Sequence, residues 1–223
     1  MPDRQPLLQQ VFSWLTDPAN WRGTDGIANR LVEHVGICAA SLGIACLLAI
    51  PLGLWLGHVK RGQLIIINVA NAGRAVPTYA LLVLLAIGPL GLGSASTIVA
   101  LVLFAIPPIL TNTFTGIRDV DPDIVDAAEG MGLSGAQVLR KVELPLGTPL
   151  LLAGVRLSAV QVVATATIAA LVAGGGLGRI ITAGFGTNNI PELLSGALLV
   201  AALAVGVELS FGVLVRRSRA RVS

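Results

Sequence analysis

Six of the chain's twelve acidic residues, Asp119, Asp121, Asp123, Asp126, Glu129 and Glu143, crowd the stretch 116–146. Carboxylates make a metal site when His or Cys joins them, and an acid–base site when a His or a second carboxylate is held beside them. The two histidines, His34 and His58, stand instead at the two ends of one apolar run, and there is no Cys-x-x-Cys. Cys38 and Cys46 are eight residues apart in that run. On a helix this is roughly 12 Å, too far for a disulfide. The chain contains no Gly-x-x-x-x-Gly-Lys-Ser/Thr, so it holds no P-loop for ATP. What remains is charge in apolar surroundings: Arg74, Arg156 and Glu208. Each costs roughly 2.5–3.5 kcal/mol inside a membrane helix unless it is paired.

The elements that must hold these groups follow from composition. Of 223 residues, 54% are apolar and 12% are Asp, Glu, Lys or Arg. A soluble domain has about 25% charged residues. A soluble globular enzyme, a disordered chain and a disulfide scaffold are therefore excluded. The 26 glycines follow no triplet period, which excludes collagen. An all-α polytopic membrane protein is left, and at about 20 residues per span the length allows five spans, or six.

Val35–Gly57 is uncharged and makes the first span. Between Arg74 and Arg118 lie 43 uncharged residues, interrupted by Gly-Pro-Leu-Gly-Leu-Gly-Ser at 88–94. Two spans result, about 64–87 and 95–115. Pro77 predicts that the first of these is kinked or built in two pieces. The fourth and fifth spans are about 147–173 and 193–215, giving a transmembrane domain over 35–215. In the preceding segment, 1–34, Leu7, Leu8, Val11, Phe12 and Leu15 are spaced for a surface-lying helix. The chain closes with a basic tail, 216–223. Lys and Arg number nine at one set of span ends and four at the other. This asymmetry puts the C-terminus in the cytoplasm and, with five spans, the N-terminus outside.

The acidic stretch is then the one long cytoplasmic connection, and it reads as two short helices about a glycine elbow. Asp121 suits the N-cap, Pro122 the first helical position and Asp123 the positive helix start. Ile124, Ala128 and Met131 share one face, and Gly130 and Gly132 end the helix. Ser134 and Gln137 form a capping box that opens the second helix. Pro145 predicts that this helix stops near Leu144.

Asp126-Ala127-Ala128, three residues, Gly132, nine residues, Val142, one residue and Leu144-Pro145 resemble the EAA loop of ATP-binding-cassette (ABC) importer permeases. Asp for Glu at 126 and Val for Ile at 142 are the departures. Loop position, span number and an inside C-terminus are similar to the type I importer permease core. The residues around Pro77, those from Val172 to Phe185 and those from Asp17 to Val35 resemble the glycine betaine/carnitine/choline branch.

The resemblance implies that Asp126, Ala127, Ala128, Glu129, Gly132, Val142, Leu144 and Pro145 couple the chain to a dimer of separate ATPase subunits. Those subunits hold the ATP and magnesium; no cofactor and no metal is expected in this chain. The first short helix would dock in an ATPase cleft. Ala127 and Ala128 would permit close approach, Gly132 the sharp turn, and Asp126 and Glu129 would pair with basic residues. The other expected partners are a second permease subunit (this chain or a paralogue), an extracytoplasmic solute-binding protein and membrane lipid, with no nucleic acid. Some relatives fuse the binding domain to the permease; with an end at Ser223, none is expected here. The implied location is the bacterial cytoplasmic membrane.

Residues for the pathway or a gate are fewer. Glu208 either faces the pathway or a subunit contact, or pairs with Arg156 or Arg74. Arg156 suits a structural partner. Arg74, just before Pro77, falls where irregular backbone is tolerated only beside protein or water. Gly174, Gly175 and Gly176, with Gly178, form a flexible outer loop that serves as a gate or as a plain turn. A quaternary ammonium solute is best held by several ring faces. The chain has five Phe, three Trp and one Tyr, scattered along its length. High-affinity recognition is therefore expected in the separate binding protein. An importer permease for methionine or another amino acid is the alternative in the same class. An ATPase-independent secondary transporter is the alternative outside it, although the inverted repeats it calls for are not seen.

Overall fold

The computed structural model of the chain describes residues 6–172 and 174–220, apart from the side chains of Ala72, Arg74 and Ala75. All regular elements among them are helices: α1 (Leu7–Thr16), α2 (Ile27–His58), α3 (Gln63–Ala75), α4 (Thr78–Ile87), α5 (Ser94–Arg118), α6 (Pro122–Gly130), α7 (Gly135–Val138), α8 (Leu144–Ala169), α9 (Gly178–Gly186) and α10 (Ile190–Arg219). Four stretches are long and apolar enough to cross a membrane: Ile27–His58, Ser94–Arg118, Gly135–Val172 and Ile190–Arg219.

The expected second span is built in two pieces. α3 and α4 part at Val76 and Pro77, because the proline has no N–H to continue the ladder and pushes Val76 out of the helical region. A second break at 88–93 separates α4 from α5. There Gly91 and Gly93 have φ of 71° and 131°, a region that side chains disfavour.

The chain forms two compact units. One comprises Met1–Ser41, Thr78–Leu101 and Val162–Gly206; the other comprises Leu42–Pro77, Val102–Gln161 and Val207–Ser223. In the first unit, Trp14 and Leu15 of α1 pack against buried Ile27, Leu177 and Ile180. Leu8 and Phe12 are left exposed, at 83% and 68%. Helix α1 thus anchors to its own unit by one side and keeps an apolar side for a membrane surface.

In the second unit, backbones approach closely. A Cβ on Gly147 would lie 2.6 Å from the Gly116 carbonyl oxygen, and one on Gly57 would lie 2.8 Å from the Ile117 Cβ. Small residues thus bring α2, α5 and α8 into contact, the means by which helices associate where lipid removes the hydrophobic drive. Ser158 Oγ adds a hydrogen bond from α8 to the Ala105 carbonyl of α5, at 3.0 Å.

Candidate functional site

The acidic stretch folds as a helical elbow. Asp121 caps α6 by accepting from the Asp123 N–H at 3.0 Å. At the other end the Leu133 N–H donates to the Ala128 carbonyl (3.2 Å) and the Gly132 N–H to that of Glu129 (2.8 Å). This is the Schellman closure of a helix, which places its turning residue in the left-handed region. Gly132 has φ +86° with open space around the position of a Cβ, so its glycine serves backbone conformation rather than clearance. Gln137 Oε1 then accepts from the Ser134 N–H at 2.8 Å, opening α7.

The spacing of Ile124, Ala128 and Met131 names a shared face and not its direction, and the expected stop at Pro145 is corrected. The face of α6 that packs inward is Val125 and Ala128, buried with Val120 and Val138 under Leu133, Val142 and Leu146. Ile124 and Met131 are exposed, at 46% and 76%. They share a helical face with Ala128, but the inward direction is decided by Val120 and α7, which flank the helix elsewhere in the sequence. Nor does Pro145 end the second helix. A π-helical turn, Leu139–Glu143, joins α7 to α8 without a stop. Pro145 offers no N–H to the carbonyl four residues back and crowds it, and the wider turn accommodates both effects.

Asp126, Ala127, Glu129 and Gly132 lie exposed on the elbow, whereas Ala128 is spent on its own core. Val142 packs beneath; Leu144 and Pro145 begin α8. Glu143, between them, is buried with its side chain 2% exposed, and His58 Nδ1 meets its carboxylate at 2.5 Å. A buried carboxylate needs such a donor. His58 is in the last turn of α2. The pair therefore ties the base of the elbow to α2.

The glycine turn in the first unit is pinned rather than flexible. The Gly176 N–H donates to Glu33 Oε2 at 2.9 Å, and the Leu177 N–H to His34 Nδ1 at 3.3 Å. His34 Nε2 in turn meets the Val163 carbonyl at 3.1 Å, so the fully buried imidazole donates at one nitrogen and accepts at the other. A Cβ on Gly175 would fall 1.8 Å from Glu33 Oε1. Gly174 closes the turn by donating to the Ala169 carbonyl at 2.8 Å. Glycine is needed at 175 because a carboxylate occupies the space that a side chain would fill, at 176 because a Cβ would fall 2.7 Å from His34 Nδ1, and at 174 because one would fall 2.6 Å from the Ala169 carbonyl oxygen.

Of the charges within spans, Glu208 is paired with Arg156. Arg156 Nε donates to Glu208 Oε2 at 2.9 Å and its Nη2 donates to Oε1, a two-point guanidinium–carboxylate contact between α8 and α10. Pro77 is exposed at the break between α3 and α4. The side chain of Arg74 lies outside the described residues. Glu33, His34, His58 and Glu143 were not legible as functional in the sequence. Their one signal is position, since each borders an apolar run.

A helical chain with membrane-length helices, a broken span and an elbow carried between two of the long helices is a multi-span membrane subunit. Residues 49–223 match the family of binding-protein-dependent transport system inner membrane components, and the chain belongs to that family. Among its relatives, the choline transport system permease protein OpuBB of Bacillus subtilis is 36% identical over 84% of this chain and 86% of its own length. The carnitine transport permease protein OpuCB of Listeria monocytogenes is 38% identical over 80% of each. A chain of the methionine ABC transporter MetNI, inward facing, superposes with a TM-score of 0.73 over 84% of this chain and 93% of that one. At 22% identity that likeness shows the fold.

Proposed function

We propose that this chain is the permease subunit of an ATP-driven importer for a quaternary ammonium compatible solute: glycine betaine, carnitine or choline. The observation that carries the substrate class is the agreement of relatives. Three that are 34–38% identical over 80–84% of this chain bear the names of choline, carnitine or glycine betaine transport. A separate extracytoplasmic binding protein delivers the solute, and a second permease subunit completes the path within the lipid.

The elbow is the contact with a dimer of ATPase subunits that hold ATP and magnesium. Asp126, Ala127 and Glu129 face outward with Ile124 and Met131, giving an acidic surface with two apolar contacts. Gly132 sets the angle of the elbow. Val142, Leu144 and Pro145 carry movement into α8, and the His58–Glu143 pair carries it into α2. The nine-to-four excess of Lys and Arg supports an elbow and a C-terminus in the cytoplasm and an N-terminus outside. Glu208 takes a structural role through Arg156. The break at Pro77 is the candidate for a gate, and the pinned turn at Gly174, Gly175 and Gly176 is the candidate for a fixed wall of the pathway.

Proteoliposomes holding this chain with its cognate ATPase and binding protein test the reading. ATP-dependent accumulation of labelled betaine, carnitine or choline is expected. Uptake of methionine with none of the three would overturn the substrate class.

A further inference from the structure

A cleft of about 530 Å³ opens in the first unit, with Trp14, Arg22, Asp25, Arg30, Arg179 and Glu192 in its lining. The volume is that of a small-ligand pocket. Its walls are α1 with the turn that follows it, the start of α2, α9 and the start of α10. The charges in it are unevenly committed. Arg30 is engaged by Glu33 at 2.7 Å and by Asp25. Glu192 accepts a hydrogen bond from Asn189 Nδ2 at 3.2 Å and forms no salt bridge with a described residue. Arg22 and Arg179 form no salt bridge, and their side chains no hydrogen bond, with any described residue, although the Glu33 carboxylate is near enough to interact with the charge of Arg179.

Two guanidiniums whose N–H groups have no hydrogen-bonded partner can take a carboxylate, which a guanidinium grips at two points. An indole and a carboxylate in the same cleft suit a quaternary ammonium, which cannot donate a hydrogen bond and is held by ring faces and negative charge. A bare cation in this cleft meets more positive charge than negative. A molecule with both an ammonium and a carboxylate end satisfies both.

We infer that this cleft is a low-affinity subsite for a zwitterionic quaternary ammonium carboxylate, with Arg22 and Arg179 at its carboxylate and Trp14 and Glu192 at its ammonium. The inference rests on the substrate class proposed above and divides it. Betaine and carnitine fit the cleft; choline, which has no carboxylate, does not. Occupancy is wired to the glycine turn. Arg30 on the cleft wall bonds the same Glu33 oxygen that receives the Gly176 N–H. Arg179 lies three residues beyond that glycine, on the helix the turn leads into.

The test uses the full chain in lipid nanodiscs without a binding protein. Saturation transfer to the N-methyl protons of betaine, carnitine and choline is measured, and each variant is checked for a monodisperse profile. Betaine and carnitine are expected to give saturable transfer at roughly millimolar concentration, with choline far weaker. Arg179→Gln and, separately, Arg22→Gln should each weaken betaine about tenfold while leaving choline unchanged. Arg22 lies outside the long helices, so it keeps the question answerable if the Arg179 variant fails to fold. Choline equal to betaine in the unaltered chain, or betaine unaffected in a monodisperse arginine variant, would overturn the subsite. Uptake of betaine by the complete transporter alongside such a result removes the subsite and leaves the substrate class standing. Absence of uptake of all three solutes removes the substrate class itself.

Discussion

Each unit contains a loop held by a histidine and a glutamate, and the two grips work differently. In the first, Glu33 and His34 of α2 hold the backbone N–H groups of Gly176 and Leu177. In the second, His58 of the same helix holds the side chain of Glu143. A grip on backbone leaves no room for side chains, so it fixes the turn by excluding every residue but glycine at 175. A grip on a side chain depends on one hydrogen bond and leaves the surrounding surface free. The first arrangement suits a part that must keep its shape. The second suits a joint, next to a π-helical turn and an exposed acidic surface that a partner can push.

The largest effect is expected in the topology of the segments that carry the elbow and the N-terminus. Reporter fusions after Arg118 and after Ser223 should both report cytoplasm, and a fusion in the segment before α2 should report the outside. A Ser223 fusion that reports the outside would reverse the assignment of elbow and turn.

Gly175→Ala should follow in size. Its Cβ would sit 1.8 Å from Glu33 Oε1, so either the turn or the carboxylate must move. Overpacking together with a lost buried hydrogen bond costs about 3 kcal/mol. A lower unfolding temperature in detergent is expected, and adding Glu33→Ala to make space should recover part of it. An unchanged unfolding temperature for Gly175→Ala would show that the turn is not gripped as described.

The second grip should be graded. His58→Ala strands a buried carboxylate and should cost about 2 kcal/mol, while Glu143→Gln keeps a hydrogen bond and should cost about 1 kcal/mol. Both should lower transport per ATP hydrolysed more than they lower stability. Equal loss of transport and of ATPase stimulation would make the pair a structural bond and not a joint.

The smallest expected effect is in solute affinity. One or two ring contacts at about 0.5–2 kcal/mol each leave the chain alone well short of micromolar binding, which needs about 8 kcal/mol. Titration calorimetry on the purified chain with betaine, choline and carnitine should show no micromolar component. Finding one would move specificity into this subunit.

Local chemistry made much of this legible. The breaks at Pro77 and at 88–93, the Asp121 cap, the Ser134 box and the turn at Gly132 each depend on residues within a few positions of one another. The inward face of α6 was not legible, because helical spacing identifies a face without saying which way it points. Val120 and Val138, on neighbouring segments, choose Val125 over Ile124 and Met131. The stop expected at Pro145 failed because a π turn absorbs a proline as well as a helix end does. The two grips were out of reach for another reason: Glu33 and Gly176 are 143 residues apart, and His58 and Glu143 are 85 apart. Nothing periodic records contacts at that separation.

The central claim is that the elbow couples this chain to a separate ATPase. It is tested most directly by Gly132→Leu in proteoliposomes with the ATPase and binding protein. Gly132 has φ +86°, and a side chain in that region costs roughly 1–2 kcal/mol, enough to reset the angle of α6 while leaving the spans intact. The variant is expected to insert in normal amount, to accumulate no solute and to lose the stimulation of ATP hydrolysis by loaded binding protein. Normal accumulation and normal stimulation in the inserted variant would contradict the assignment of the elbow.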